Sequence, residues 1–202
     1  MIKAILFDLG NVVVGFDFAR GYRALEPYCR FRAEEIPLLI AGSSLAPPYE
    51  RGEISSQDFF QRLSGVLGLD VSYEQFCDLW SAIFLPEPLL PEDLLAGLRR
   101  RYRMVLISNT NDIHFRMIQR TYPLIEHFDA HVLSYKIGAM KPSQRMYEEA
   151  VRQADCEPQE CFYTDDVPDF VESGRRQGLD AVQFRGPAEL EKELRRRGVG
   201  WT

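Results

Sequence analysis

The sequence predicts an α/β fold, in which a Rossmann-like parallel sheet carries a small inserted α-helical subdomain. Apolar, β-branched runs that end in polar residues recur along the chain, as in strands covered on both faces of a sheet. From Pro91 onward these runs alternate with amphipathic helical segments. A helical stretch of about 70 residues separates the first run from the second, and this stretch is too long for a loop.

The first run, IKAILF at residues 2–7, is almost continuously apolar and predicts a buried first strand. Between residues 17 and 88 apolar residues recur at helical spacing, and no convincing strand is expected there. One of these helices should begin near Ser55, because Asp58 three residues later gives a capping-box-like start. We therefore expect a core of residues 1–15 and 89–202 and a helical subdomain of residues 16–88.

In the second half of the chain, segments with helical spacing of apolar residues alternate with short apolar runs typical of strands. This alternation is typical of a parallel sheet with helices on both faces. We expect strands at 103–108, 129–133, 160–164 and 180–184. The expected helices are 91–101, 112–121, 144–154, 168–177 and a terminal helix from about residue 187.

Composition and charge narrow the class of protein. The chain has 202 residues, 46% of them apolar, so it can bury a substantial core. Its net charge of −6 disfavours nucleic acid and anionic membranes as partners. The sequence has no run long enough to span a bilayer, no secretory signal pattern and no zinc-type cysteine spacing. We therefore expect a cytoplasmic protein. For its oligomeric state we expect a monomer or a homodimer.

Polar residues at the ends of three predicted strands carry the chemistry. Asp8 follows the first strand, Ser108 ends the second, and Asp165 and Asp166 follow a later one. Carboxyl ends of parallel strands share one edge of a sheet, which is where ligands bind in such folds. With Lys141, this set suits a carboxylate that attacks phosphorus while Mg²⁺ and a lysine hold the anion.

The order aspartate, serine, lysine and acidic pair resembles the haloacid dehalogenase-like (HAD) hydrolase superfamily. The helical insertion resembles the C1-type cap of that superfamily's phosphatases. The segments FDLGNVVV, YERGEIS at 49–55 and SNTND at 108–112 are similar to a sugar-phosphate phosphatase subgroup. That subgroup includes α-glucose-1-phosphate phosphatase and the N-terminal phosphatase domain of soluble epoxide hydrolase.

The resemblance implies a role for each residue. Asp8 is the expected nucleophile, which forms an aspartyl-phosphate. Ser108 and the backbone amide of Asn109, at the start of the next helix, should bind phosphate oxygens. Lys141 should neutralise the attacking carboxylate and the phosphoryl group.

The resemblance also implies a magnesium site. Asp165 should bind Mg²⁺ together with Asp8, and the backbone carbonyl of Gly10 should complete the protein ligands. Asp166 is expected to act from outside the metal's ligand set, positioning water or Lys141.

Two positions depart from the family pattern. Gly10 stands where most of these phosphatases carry a second aspartate, which protonates the leaving group and later activates water. Asp17, Asp112 or a metal-linked water are alternative proton carriers, unless the substrate has a good leaving group. Phe170 stands where an asparagine is usual, although Asp169 is a possible substitute.

The resulting hypothesis is a Mg²⁺-dependent phosphatase of a small phosphorylated metabolite, most simply a sugar phosphate. The alternative is a catalytically weak phosphate-binding or regulatory protein, because of Gly10. A dehalogenase is disfavoured by the acidic pair, and a receiver domain by the order of the motifs. Residues in the middle of the insertion are either substrate contacts or solvent-facing turn residues, namely Tyr49, Glu50, Arg51 and Glu53.

Overall fold

The computed structural model describes residues 1–201, and a five-stranded parallel sheet forms its centre. In their order across the sheet, the strands are β5 Ala130–Leu133, β4 Arg103–Ser108, β1 Ala4–Phe7, β6 Cys161–Asp165 and β7 Asp180–Gln183. Phe7 at the end of β1 pairs with Leu106 on one side and with Thr164 on the other. The residues that follow these three strands therefore lie side by side.

Helices cover both faces of this sheet. Ile5 and Phe7 of β1 belong to one apolar cluster, and Ala4 and Leu6 belong to another on the opposite face. All four side chains are fully buried, as their continuous apolar sequence predicts. Within residues 1–201, no helix is both long and apolar enough to cross a lipid bilayer. The helices around the sheet are α6 Glu92–Arg99, α7 Asp112–Thr121, α8 Ser134–Ile137, α9 Gln144–Ala154, α10 Pro168–Arg176 and α11 Pro187–Arg196.

Five α-helices lie between residues 17 and 83, within the stretch that separates β1 from β4. They share an apolar cluster that includes Leu25, Phe59 and Phe76, and Ile113 from α7 packs into the same cluster. Ser55 caps one of them by accepting a hydrogen bond from the Asp58 amide, as expected. We call residues 17–83 the cap segment. Its helices are α1 Phe18–Leu25, α2 Ile36–Ser43, α3 Ala46–Glu50, α4 Ser56–Leu67 and α5 Tyr73–Ser81.

A two-stranded antiparallel ribbon connects the cap segment to the sheet. Its strands are β2 Val14–Phe16 and β3 Phe84–Pro88. The expectation that no strand lies between residues 17 and 88 was wrong for β3. Pro86 and Pro88 argued against a strand there, because proline is excluded from central strands. Proline is tolerated in edge strands, and both strands of this ribbon are edge strands. The α/β fold and its parallel sheet are confirmed, with boundaries within about two residues of those expected.

Candidate active site

Lys141 joins two aspartates at the carboxyl edge of the sheet. Its Nζ donates hydrogen bonds of 2.6 Å to Oδ1 of Asp8 and of 2.6 Å to Oδ2 of Asp165. All three residues are buried. Asp8 and Asp165 come together because β1 and β6 are parallel neighbours, whereas Lys141 comes from the connection between α8 and α9.

The side chain of Asn109 fixes the backbone at Lys141. Its Oδ1 accepts a 2.7 Å hydrogen bond from the Lys141 amide, and its Nδ2 donates a 3.0 Å bond to the Lys141 carbonyl. The expectation that Asn109 begins the next helix was wrong. Helix α7 begins at Asp112, because Asn111 is the N-cap and accepts a hydrogen bond from the His114 amide. Asn109 thus contributes a positioning contact that the sequence did not indicate.

Burial and charge shift the acidity of this cluster. Burial raises the pKa of Asp8 above its ordinary value, the charge of Asp165 raises it further, and Lys141 opposes the shift. Burial alone lowers the pKa of Lys141, but the two carboxylates outweigh that effect and raise it. Lys141 is therefore an ammonium group at neutral pH.

Three carboxylates form a group that could hold a cation. Asp8, Asp165 and Asp166 each offer an oxygen atom, and these atoms lie within 4.8 Å of one another. When all are ionised, they carry three negative charges against one positive charge on Lys141. A divalent cation would balance the remaining charge, and carboxylate oxygens suit a hard cation.

The two adjacent aspartates differ in their surroundings. Asp165 is fully buried, and its carboxylate accepts hydrogen bonds from Lys141, from the Tyr163 hydroxyl and, at 2.9 Å, from the Val167 amide. Asp166, in contrast, is half-buried. Burial raises the pKa of Asp166, and the charge of Asp165 adds to the shift.

Two cavities with partly shared linings lie next to the cap segment. The smaller cavity, of about 80 Å³, is lined by Gly10, Ser108 and Asn109 from the core and by Phe16 and Glu50 among others. The larger cavity, of about 490 Å³, lies among α1, α2 and α3 and is lined mainly by apolar side chains. The residues common to both are Phe18, Glu50, Ile83 and His114. Of the four expected cap contacts, Glu50 is the one that lines both cavities.

The remaining cap candidates point to other partners. Tyr49 is buried, and its hydroxyl accepts a 3.2 Å hydrogen bond from the Ile113 amide of α7. Arg51 and Glu53 form an ion pair of 2.5 Å with each other, and Glu53 is exposed. Tyr49 therefore attaches the cap segment to the core.

The alternative proton carriers at Asp17 and Asp112 already have other partners. Asp17 is the N-cap of α1, where it accepts a 2.9 Å hydrogen bond from the Ala19 amide. Asp112 accepts hydrogen bonds from Ser56 at 3.2 Å and from Arg116 at 3.0 Å. Neither carboxylate lines the cavity above Ser108.

Comparisons with known proteins identify the family of this chain. A family model described as haloacid dehalogenase-like hydrolase matches residues 2–178. The chain is 26% identical over 200 residues to a D-ribitol-5-phosphate phosphatase from Bacteroides thetaiotaomicron, covering 96% of this chain and 97% of the relative. A magnesium complex of a HAD-family enzyme from that species has a TM-score of 0.82 and 25% identity, covering 96% and 98% of the two chains.

A structure described as a HAD-like family hydrolase, from Porphyromonas gingivalis, has a TM-score of 0.79 and 26% identity, with coverage of 96% and 98%. Both solved structures thus match this chain over almost its whole length. The family model itself spans most of the 202 residues. The chain belongs to the haloacid dehalogenase-like hydrolases.

Proposed function

We propose that this protein is a Mg²⁺-dependent phosphatase that hydrolyses a small phosphomonoester through an aspartyl-phosphate on Asp8. The observation that supports this most directly is the Lys141 ammonium, which bonds both Asp8 and Asp165 beside a third carboxylate. A carboxylate nucleophile that must approach an anionic phosphoryl group needs such positive charge. The relative from Bacteroides thetaiotaomicron, which is named as a phosphatase, supports the same activity.

In this proposal the core residues bind the phosphoryl group. Asp8 attacks phosphorus, and Lys141 offsets the charge of the carboxylate and of the phosphoryl oxygens. Ser108 and the Asn109 amide face the small cavity above Gly10 and would donate hydrogen bonds to phosphate oxygens. Asn109 also keeps Lys141 in place through its side chain.

Magnesium fits the donor set, and the magnesium complex of the related enzyme supports it. We propose Asp8, Asp166 and the Gly10 carbonyl as ligands. Asp165 was expected to bind the metal directly, but its carboxylate already accepts three hydrogen bonds, so we assign it to holding Lys141. The metal would supply positive charge for the phosphoryl oxygens.

A sugar or polyol phosphate is the narrower proposal for the substrate. The subgroup resemblance and the D-ribitol-5-phosphate phosphatase both support it. The cavities in the cap segment would hold the organic group, because the core residues contact only the phosphate.

A catalytically weak phosphate-binding protein is the second candidate, and Gly10 is the observation that favours it. Without a proton donor, a phosphatase of this type would be slow for substrates with basic leaving groups. A dehalogenase would not need the cluster of Asp8, Asp165 and Asp166 for a metal.

Phosphate release by the purified protein tests the proposal. The panel should contain sugar and polyol phosphates, nucleotides and p-nitrophenyl phosphate, each with magnesium and with excess EDTA. We expect magnesium-dependent release that Asp8→Asn abolishes, while Asp78→Asn, a change of an exposed cap aspartate, retains it. Binding of inorganic phosphate without any turnover would instead support the regulatory protein.

A further inference from the structure

The position of the missing acid is filled by an aromatic ring. A Cβ atom added at Gly10 would lie 2.7 Å from Cε1 of Phe16, closer than side chains approach. Phe16 belongs to β2, and its ring contacts those of Phe18 and Phe84 at centroid distances of 5.0 and 6.4 Å. An aspartate at position 10 would thus require the Phe16 ring to move. Because residue 10 is glycine, a proton donor must come from elsewhere.

The small cavity above Ser108 offers one carboxyl group. Among the described residues that line it, Glu50 is the only acid. His114, which lines the same cavity, has both ring nitrogens engaged, Nε2 with the Trp80 carbonyl at 3.0 Å and Nδ1 with the Asn111 amide group at 3.0 Å. Burial also lowers the pKa of His114 to about 4, so the imidazole is uncharged at neutral pH and has no free nitrogen to donate a proton.

The side chain of Glu50 has no partner of its own. Within residues 1–201 it forms neither a hydrogen bond nor an ion pair, although it is half-buried. Burial raises its pKa, so the protonated form persists to higher pH than for an exposed glutamate. A half-buried carboxyl group without a protein partner is free to bond a ligand in the cavity.

The local fold holds Glu50 over the core. It is the last residue of α3, and its neighbour Tyr49 stacks on Phe59 at a centroid distance of 4.2 Å. The Tyr49 hydroxyl also contacts Ser56 at 2.9 Å and the Ile113 amide of α7. These contacts fix α3 against the core helix that follows Ser108.

We propose that Glu50 carries the proton that an aspartate at position 10 would otherwise carry. This role rests on the proposed phosphatase activity. In the first step an Asp8 oxygen bonds to phosphorus as the bond from phosphorus to the leaving oxygen breaks, and that oxygen takes the proton from Glu50. In the second step water attacks phosphorus, the bond to Asp8 breaks, and the Glu50 carboxylate accepts the proton from water.

A leaving-group series tests this role. Glu50→Gln should lower turnover of an alkyl phosphate such as glycerol 3-phosphate by about 10²- to 10⁴-fold. Release of p-nitrophenol from p-nitrophenyl phosphate needs no proton, so its first turnover should remain fast. The second step still lacks a base, so Glu50→Gln should show a burst of p-nitrophenol close to one equivalent of enzyme, followed by a slow phase.

Two further variants separate catalysis from folding. Glu34→Gln, which changes an exposed glutamate of the cap segment, should behave as the wild type with every substrate. Glu50→Ala should regain turnover in sodium formate, because a small carboxylic acid can enter the vacated space. Both Glu50 variants should also keep the circular dichroism spectrum of the wild type, which a misfolded variant would lose.

The outcomes distinguish this inference from the proposed function. An equal loss for all leaving groups, with no burst and no formate rescue, would overturn the proton-transfer role and leave Glu50 as a substrate contact. Unchanged turnover in Glu50→Gln would also overturn it, while the phosphatase activity would stand. Absence of phosphate release by the wild type would overturn both.

Discussion

The ammonium group of Lys141 lies over the ring of Phe170, with 5.0 Å between Nζ and the ring centroid. Phe170 stands where the family resemblance implies an asparagine. The ring faces the cation with its negative π surface, while the Phe170 carbonyl accepts a 2.9 Å hydrogen bond from Tyr147. Phe170 thus stabilises the charge of Lys141 by a route that an asparagine would not use.

We expect Phe170→Leu to weaken the site, because leucine fills space but has no π surface. A buried cation–π contact is worth about 0.5–2 kcal/mol, so kcat should fall roughly 2- to 30-fold. Phe170→Tyr keeps the aromatic face and serves as the control. Equal kcat values for the leucine variant and the wild type would show that the ring only fills space.

Asn109→Ala should loosen the backbone at Lys141. It removes the bonds to the Lys141 amide and carbonyl, and we expect the free energy of unfolding to fall by about 1–3 kcal/mol. Urea denaturation measures this loss, and Gln119→Ala, an exposed change on α7, is the control. The kcat should fall as well, whereas unchanged kcat at reduced stability would limit Asn109 to a structural role.

Much of the site could be predicted because parallel strands impose it. Asp8 follows β1, and Ser108 and Asp165 end β4 and β6, the two strands that pair with β1. Their convergence therefore needs only the apolar runs and the topology. Lys141 follows no strand, so the sheet topology does not place it beside the aspartates. Its placement depends on Asn109, which lies 32 residues earlier in the chain, and contacts over such separations leave no periodic signal.

The cap segment was harder to predict for a related reason. Its helices follow from periodicity, but which residue of YERGEIS faces the core depends on how α3 packs against α7. Tyr49 makes that contact and Glu50 faces the cavity, although the two are neighbours in sequence. The closeness of Phe16 to Gly10 is likewise a tertiary contact, created by the ribbon that the prolines concealed.

The stability of the metal-free protein should depend on the ionisation of Asp8. Its pKa is raised in the folded state, so the folded protein binds a proton that the unfolded chain releases above the ordinary value of 3.8. The free energy of unfolding therefore loses this contribution as pH rises from about 4 toward the raised pKa. In EDTA, Asp8→Asn should remove that decrease, which urea denaturation at several pH values would show.

Magnesium provides the matching measurement. At a pH where Asp8 is ionised, added Mg²⁺ should raise the Tm of the wild type, because a ligand that binds only the folded state stabilises it. The increase should be much smaller in Asp8→Asn. If the free energy of unfolding has the same pH dependence in the wild type and in Asp8→Asn in EDTA, the raised pKa of Asp8 is contradicted. If magnesium raises the Tm of both proteins equally, the metal site is contradicted.

Gly10→Asp and Phe16→Ala should be strongly coupled. Gly10→Asp alone places its Cβ against the Phe16 ring, so we expect the free energy of unfolding to fall by about 1–3 kcal/mol. Phe16→Ala removes the obstructing ring atoms, and the double variant should then be more stable than the sum of the single changes implies. Placed in the Glu50→Gln background, the same pair of changes should restore turnover of glycerol 3-phosphate, because it supplies a carboxyl group at position 10. If the two changes simply add in their effects on the free energy of unfolding, the Phe16 ring is not what disfavours a side chain at position 10. The loss caused by Gly10→Asp would then need another explanation.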